Sequence, residues 1–296
     1  MQDLARSRVL AARCRANAAV KRAPLFREHG VRTGDGLLVA LSAVLVVFLF
    51  APLLGLFARL SFRDFMVGLD DPLVWPALRL SLFTTSTSLL ITVLFGTPLA
   101  FRLARAEGRL ARALEIAIEL PIVIPPAVAG VALLLTFGRR GLLAPLLYPT
   151  GFSLTFTSAA VVMAEVFVSA PFFVRAASSA FRAVDPNLLL VARTLGVSPL
   201  RTFSGIALPL AARGVIAGAA LAWARSLAEF GATLMFAGNY PGRTQTLPLA
   251  IYTALESDMR VAQSLSLVLL LVAALLLFGA RVGLRVWRGA SGQGES

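Results

Sequence analysis

The amino-acid sequence predicts an all-α protein that crosses a membrane about six times, and three observations carry that expectation. Apolar residues make up 58% of the chain, and the mean hydropathy is +0.81, far above the composition of soluble domains. Six apolar runs, near 37–58, 77–100, 118–138, 158–180, 212–236 and 263–282, each approach the ~20 residues that a helix needs to span the hydrocarbon core. Lys and Arg alternate with these runs: nineteen fall in segments 1–36, 101–116, 182–213 and 281–296, and six fall in the complementary loops. A soluble chain of 296 residues could not bury this much apolar surface. By the positive-inside rule both termini and the 182–213 loop are predicted to be cytoplasmic. The net charge of +13 is therefore a topology signal and not a mark of nucleic-acid binding.

The expected organisation is a basic cytoplasmic tail over 1–36, a transmembrane domain over 37–282 that includes the cytoplasmic loop 182–213, and a cytoplasmic tail over 283–296. The first tail is too long and too basic for a cleavable signal peptide. Residues 3–23, with Arg6, Arg13 and Lys21 among many alanines, fit a basic helix on anionic lipid; a tail without structure, or a start codon placed too early, fits equally. The first crossing leads into an acidic segment with Asp64, Asp70 and Asp71. The second carries Ser81, Thr84, Thr85, Ser86, Thr87 and Ser88, whose hydroxyls serve helix packing or, less commonly, line a pore. Gly96-Thr97-Pro98 is predicted to end or kink it. The third opens with Pro121, Pro125 and Pro126. Proline removes an amide donor and clashes one turn back, and carbonyls freed at membrane depth must face protein or water. A broken helix beside a pathway and an ordinary kink both fit.

The fourth crossing contains Glu165 and Pro171 and ends near Arg175 and Arg182. The fifth contains Gly214-x-x-x-Gly218 followed by alanines, a smooth face for either a neighbouring helix or a second copy. It also carries Arg225 and Glu229, expected on one helix face. Charges at membrane depth are costly and are functional candidates by default. They make either a structural ion pair or a positive field for a passing anion, with Glu229 preventing capture. Gly238-Asn239-Tyr240-Pro241-Gly242 is a turn cluster, and Thr246 to Leu255 reads as a short amphipathic helix.

Residue counts exclude several chemistries. One cysteine (Cys14) and one histidine (His29) rule out a Cys/His metal cluster. The sole lysine, Lys21, follows no glycine-rich loop, so the phosphate-cradling P-loop is missing. The chain is expected to be no enzyme, to need no cofactor, and to leave any ATP hydrolysis to a partner. An intramembrane enzyme would find no His, Cys or acid pair to work with. An ion-coupled secondary transporter would have only Glu165 and Glu229 as buried acids.

The most specific stretch is the polar island 185–209 between two apolar runs. Asp185-Pro186 and Ser198-Pro199 are helix starts, Gly196 sits where a C-terminal cap belongs, and Leu208-Pro209 is expected to stop the second helix. Nine residues separate Gly196 from Ile206-x-Leu208-Pro209. This spacing resembles the cytoplasmic coupling loop of the membrane subunits of ABC importers. Residues 120–141 and 221–256 resemble the molybdate/tungstate/sulfate permease group, with the molybdate branch favoured, and the likeness covers roughly residues 75–282.

The resemblance implies an ABC importer permease architecture in a bacterial inner membrane. It also implies a homodimer with the pathway between the copies, a separate ABC ATPase and an extracytoplasmic oxyanion-binding protein. It assigns ATPase coupling to Leu190, Val191, Ala192, Arg193, Gly196, Ser198, Pro199, Ile206 and Pro209. Asn239, Arg243, Thr244 and Thr246 join Arg225 and Glu229 as candidates for the pathway or its outer mouth, and turn-building is their alternative role. The family's Glu-Ala-Ala corresponds here to Leu190, Val191 and Ala192, so its polar contact is absent or passes to Arg193 or Arg201. A sulfate or thiosulfate permease is the nearest alternative.

Overall fold

The computed structural model describes residues 33–147 and 154–292. The expected basic helix over 3–23, together with Cys14, Lys21 and His29, lies outside them, as do residues 293–296 of the C-terminal tail. Among the described residues every regular element is helical. The chain divides into two compact units, the first ending at Gly55 and the second beginning at Leu56.

Helix α1 (Thr33–Arg59) is apolar all round and exposes Leu37, Leu45, Phe48 and Phe50, as a span set in lipid does. Short α2 (Phe62–Leu69) precedes α3 (Val74–Arg105), the second span. Pro98 does not end α3, which runs on to Arg105. The third run is broken, not merely kinked: α4 (Arg109–Val123) and α5 (Pro126–Phe137) meet at 114°. Ile124 and Pro125 are extended at the break, because a residue before proline is pushed out of the helical region, and Pro126 then starts the next helix.

After α6 (Ala144–Leu147) comes α7 (Ser158–Arg182), the central helix of the second unit. Thirteen of its 25 residues are buried, against six of 20 in α10 and none of 15 in α4. The polar loop holds α8 (Pro186–Thr194) and α9 (Pro199–Thr202), followed by a π-turn over Phe203–Ala207 and then α10 (Leu208–Leu227). The expected stop at Pro209 does not occur, and Pro199–Leu227 is one continuous span. The wider turn explains why: Leu208 N donates to Phe203 O, five residues back, so the ladder has already shifted where Pro209 withdraws its donor. The fifth run is likewise not one helix to residue 236. It ends at Leu227, and α11 (Gly231–Ala237) follows after a turn. Helices α12 (Leu247–Ser257) and α13 (Met259–Gly292) complete the chain. Asp258 opens α13 by accepting from Arg260 N at 2.8 Å, and this bond, with the Arg260 guanidinium, holds its carboxyl below the usual range.

Three cores run along this bundle. At the polar-loop end Phe173, Ala177 and Phe181 of α7 pack on Ala100 and Leu103 of α3 and on Ala207, Ala211 and Val215. Further up α7, Ala160, Val161 and Ala164 pack on Ala129 of α5 and Phe236 of α11. At the end away from the loop Val74 and Ala77 meet Leu247 and Ala250 of α12 and Leu265 of α13. The Gly214/Gly218 face lies inside the chain, because a Cβ on Gly214 would collide with Ala180 and one on Gly218 would come within 2.9 Å of Ala176 Cβ. Lipid offers no hydrophobic drive between helices, so such close approach is what holds α10 to α7.

The α3 hydroxyls also serve packing. Ser81 Oγ accepts from Leu247 N at 2.7 Å, Thr84 Oγ1 donates to Glu165 Oε1 at 2.8 Å, and Thr85 Oγ1 accepts from Trp223 Nε1 at 3.1 Å. Those three hydroxyls tie α3 to α12, α7 and α10 and do not face a pore.

Candidate functional site

The polar loop is built as a rigid elbow. Asp185 Oδ1 accepts from Asn187 N at 2.9 Å and starts α8 at Pro186. The helix closes with Gly196 N on Arg193 O and Val197 N on Ala192 O, both at 3.0 Å. Gly196 has φ +80, a conformation that glycine adopts without strain and that reverses the chain here. Ser198 Oγ then accepts from Arg201 N at 3.4 Å to start α9. Phe203 packs against Phe101 at a ring separation of 5.0 Å, and Phe101 meets Phe181 at 5.3 Å.

Arg105 fixes this elbow to the bundle. Its Nη2 donates to Phe181 O at 3.1 Å and to Val184 O at 3.0 Å, adding a side-chain donor to carbonyls at the end of α7, where the helical ladder runs out. Of the residues the sequence assigns to coupling, Ala192 is buried and Ile206 half-buried. Leu190, Val191, Arg193, Gly196, Ser198, Pro199 and Pro209 are exposed. Leu188, Leu195 and Leu200 are exposed beside them, and a cluster of apolar side chains on a polar loop marks a contact surface. A cavity of about 490 Å³ lies behind the elbow, lined by Arg102, Arg105, Leu189, Leu190 and Arg193 among others.

The second constellation lies at the other end of α10. Arg225 Nη1 is 2.8 Å from Glu229 Oε2, and the two side chains are 25% and 1% exposed. They do not share one helix face as expected, because α10 ends at Leu227 and Glu229 stands in the turn before α11. That position gives Glu229 a second task. Its Oε1 accepts from Ala232 N at 2.8 Å, placing negative charge at the amino end of α11. Glu165 is buried nearby on α7, held by Thr84.

The loop after α11 brings the remaining candidates together. Asn239 Nδ2 donates to Thr253 Oγ1 at 2.9 Å, and Thr244 Oγ1 accepts from Tyr240 N at 3.0 Å and donates to Gly238 O at 3.2 Å. Thr244 and Thr246 are buried, Asn239 is half-buried and Arg243 is exposed. Arg243 and Arg139 line a cavity of about 430 Å³ with Thr155, Phe156 and Tyr240. No group of three or more His, Cys, Asp and Glu is placed to hold a metal ion among the described residues.

Sequence reasoning missed two features. Arg105 is one of four arginines in the basic stretch 101–116, and nothing local signals its reach to α7. Glu115 and Glu119 of α4 pair with Arg182 and Arg175 of α7; no spacing within either helix announces a partner on the other, since the helical pair rule holds only within one helix.

Comparison with known proteins gives a consistent picture. Residues 92–285 match the family described as binding-protein-dependent transport system inner membrane component. The chain is 45% identical over 234 residues to the molybdenum transport system permease protein ModB of Mycobacterium tuberculosis, covering 79% of this chain and 89% of that one. It is 38% identical over 236 residues to the molybdate/tungstate transport system permease protein WtpB of Pyrococcus abyssi, with the same coverage of 79% and 89%. Among solved structures, a bacterial ABC transporter involved in import of the acidic polysaccharide alginate aligns with TM-score 0.68 at 15% identity, covering 85% of this chain and 96% of that one. The MetNI methionine ABC transporter in an inward-facing conformation aligns with TM-score 0.59 at 17% identity, covering 73% and 96%. At those identities the structures speak for the fold alone.

Proposed function

The chain belongs to the family of binding-protein-dependent transport system inner membrane components, and from that premise we propose that it is the membrane subunit of an ABC importer for molybdate or tungstate. The observation that carries the cargo is the 45% identity to a molybdenum permease over most of both chains. The Gly196 elbow supports the coupling role. Its exposed Leu190, Val191, Arg193, Leu195 and Leu200 stand on α8, its C-cap and α9, held to the bundle through Arg105 and Phe203, as a peg that transmits motion must be.

In this reading two copies form the pathway between them, with both termini and the 182–213 loop on the cytoplasmic side of the inner membrane. A separate ABC ATPase docks on each loop. ATP binding draws the loops together and opens the pathway outward to an oxyanion-binding protein, and hydrolysis returns it. This is a two-state equilibrium biased by ligands, with no covalent chemistry in the chain itself. Arg225 lends positive potential near the outer mouth while Glu229 keeps it from holding a dianion. Arg243 presents charge at the surface, and Asn239, Thr244 and Thr246 set the loop that carries it.

The test is cellular molybdenum and tungsten, measured by mass spectrometry in a deletion strain and its complemented parent at scarce oxyanion supply. A fall in either metal that the gene restores, with growth on sulfate intact, supports this reading. Unchanged metals with impaired growth on sulfate move the chain to the sulfate/thiosulfate alternative. Uptake that persists without the ATPase overturns the ABC mechanism.

A further inference from the structure

Charged side chains within a membrane span face water or protein and not lipid, and α4 and α7 carry two of them, Glu119 and Arg175, on a shared face that continues to Glu115 and Arg182 at its loop-side end. Arg175 Nε lies 3.7 Å from Glu119 Oε1, and Arg182 is paired with Glu115. Arg182 ends its span, and Arg175 lies seven residues earlier, ~10 Å deeper at the helical rise. No residue of α4 is buried, and the side chains of Arg175 and Glu119 are 69% and 41% exposed. The face is thus uncovered within the chain at a depth where lipid is excluded by its charge.

The pairs flank a cavity of about 310 Å³ that also takes in Ser178 and Ser179. Ser178 is 3% exposed, and its Oγ has no partner. Positions 175, 178, 179 and 182 recur at helical spacing, so they form one stripe of α7. Two guanidinium forks and two hydroxyls are the donor set that suits a four-oxygen dianion. The space admits such an ion with several waters, at ~30 Å³ each. The two carboxylates make the empty site neutral, and each sits where an arriving oxyanion would displace it.

We propose that this face is an oxyanion relay site in the loop-side half of the pathway, where the dianion exchanges with Glu115 and Glu119 for the two arginines. The inference rests on the proposed function and adds a site to it. Exchange explains the otherwise wasteful pairing: arginines alone would trap the ion, whereas arginines already neutralised hold it briefly and let it go. No bond is made or broken.

The experiment uses the chain assembled with its ATPase and binding protein in proteoliposomes, with sodium molybdate, tungstate or sulfate added on the loop side while uptake is followed. In the double variant E115Q/E119Q the arginines lose their competitors, so the loop-side molybdate that halves uptake falls about tenfold, within the usual range of coupling between sites. Adding R175Q and R182Q reverses that gain. If the arginine variants fail to insert, S178A on the E115Q/E119Q background weakens the inhibition instead. Uptake that drops in E115Q/E119Q with an unchanged inhibitory concentration overturns the site, because that is what a purely structural pair would do. A wild-type complex that moves none of the three oxyanions overturns the proposed function, and the site with it.

Discussion

Two sets of ion pairs sit at opposite ends of the same bundle and are built on opposite plans. Arg225–Glu229 has its carboxylate 1% exposed at 2.8 Å, with the second oxygen already capping α11 through Ala232 N. Arg175–Glu119 is open at 69% and 41%, with 3.7 Å between its charges, and only its neighbour Arg182–Glu115 supports it. The residue types are the same, so burial makes the difference. A buried pair is fixed because breaking it strands a charge where water cannot reach. An open pair is held by little more than a screened attraction and can be exchanged for another anion. One end of the bundle is therefore a fixed anchor, and the other is a place where charge can change partners.

The largest effect that would test this contrast is at Glu229. Glu229→Ala leaves the partly buried Arg225 without its partner and removes the cap of α11 together, and about 3 kcal/mol of stability should be lost, read as a lowered thermal midpoint of the purified protein in detergent. A change no larger than that of an exposed variant would break the contrast, since Glu229 would then be no anchor. Between the two ends, α10 is clamped to α7 at Gly214, where any Cβ collides with Ala180. Gly214→Val should cost about 1–3 kcal/mol by overpacking in the same measurement, and an unperturbed midpoint would mean that the ends are not mechanically joined through this seam.

The anchor was partly legible in the sequence and the exchange face was not. Arg225 and Glu229 stood out because both are charged within an apolar run, but their shared helix did not exist: the chain breaks after Leu227, and Glu229 bonds across the break. The elbow was readable because caps are local, and Asp185, Gly196 and Ser198 each act within three residues. The expected stop at Pro209 failed because the π-turn directly before it moves the hydrogen-bond ladder before proline can interrupt it. Three prolines in the third run announced a disturbance, while the 114° break depends on how α5 packs on α7 and α11. Glu115 and Glu119 lay in a segment dominated by arginines, so their partners on α7 appear only when the helices are placed side by side.

The smallest expected effect is the most telling for the exchange face. Glu115 and Glu119 are 35% and 41% exposed in their pairs, so the loss of both charges should shift stability by no more than ~1 kcal/mol. Glu115→Gln with Glu119→Gln should therefore leave the thermal midpoint close to wild type, although the same pair of changes is expected to strengthen inhibition by loop-side molybdate. Low and high salt make the measurement sharper, because an exposed pair is screened within ~8–10 Å at ordinary ionic strength and any small loss should vanish in high salt. A loss as large as that of Glu229→Ala, persisting in salt, would mean that the pairs on α4 and α7 are a second anchor. The face between them would then be sealed, and α4 would be held to α7 too firmly for an oxyanion to take a carboxylate's place.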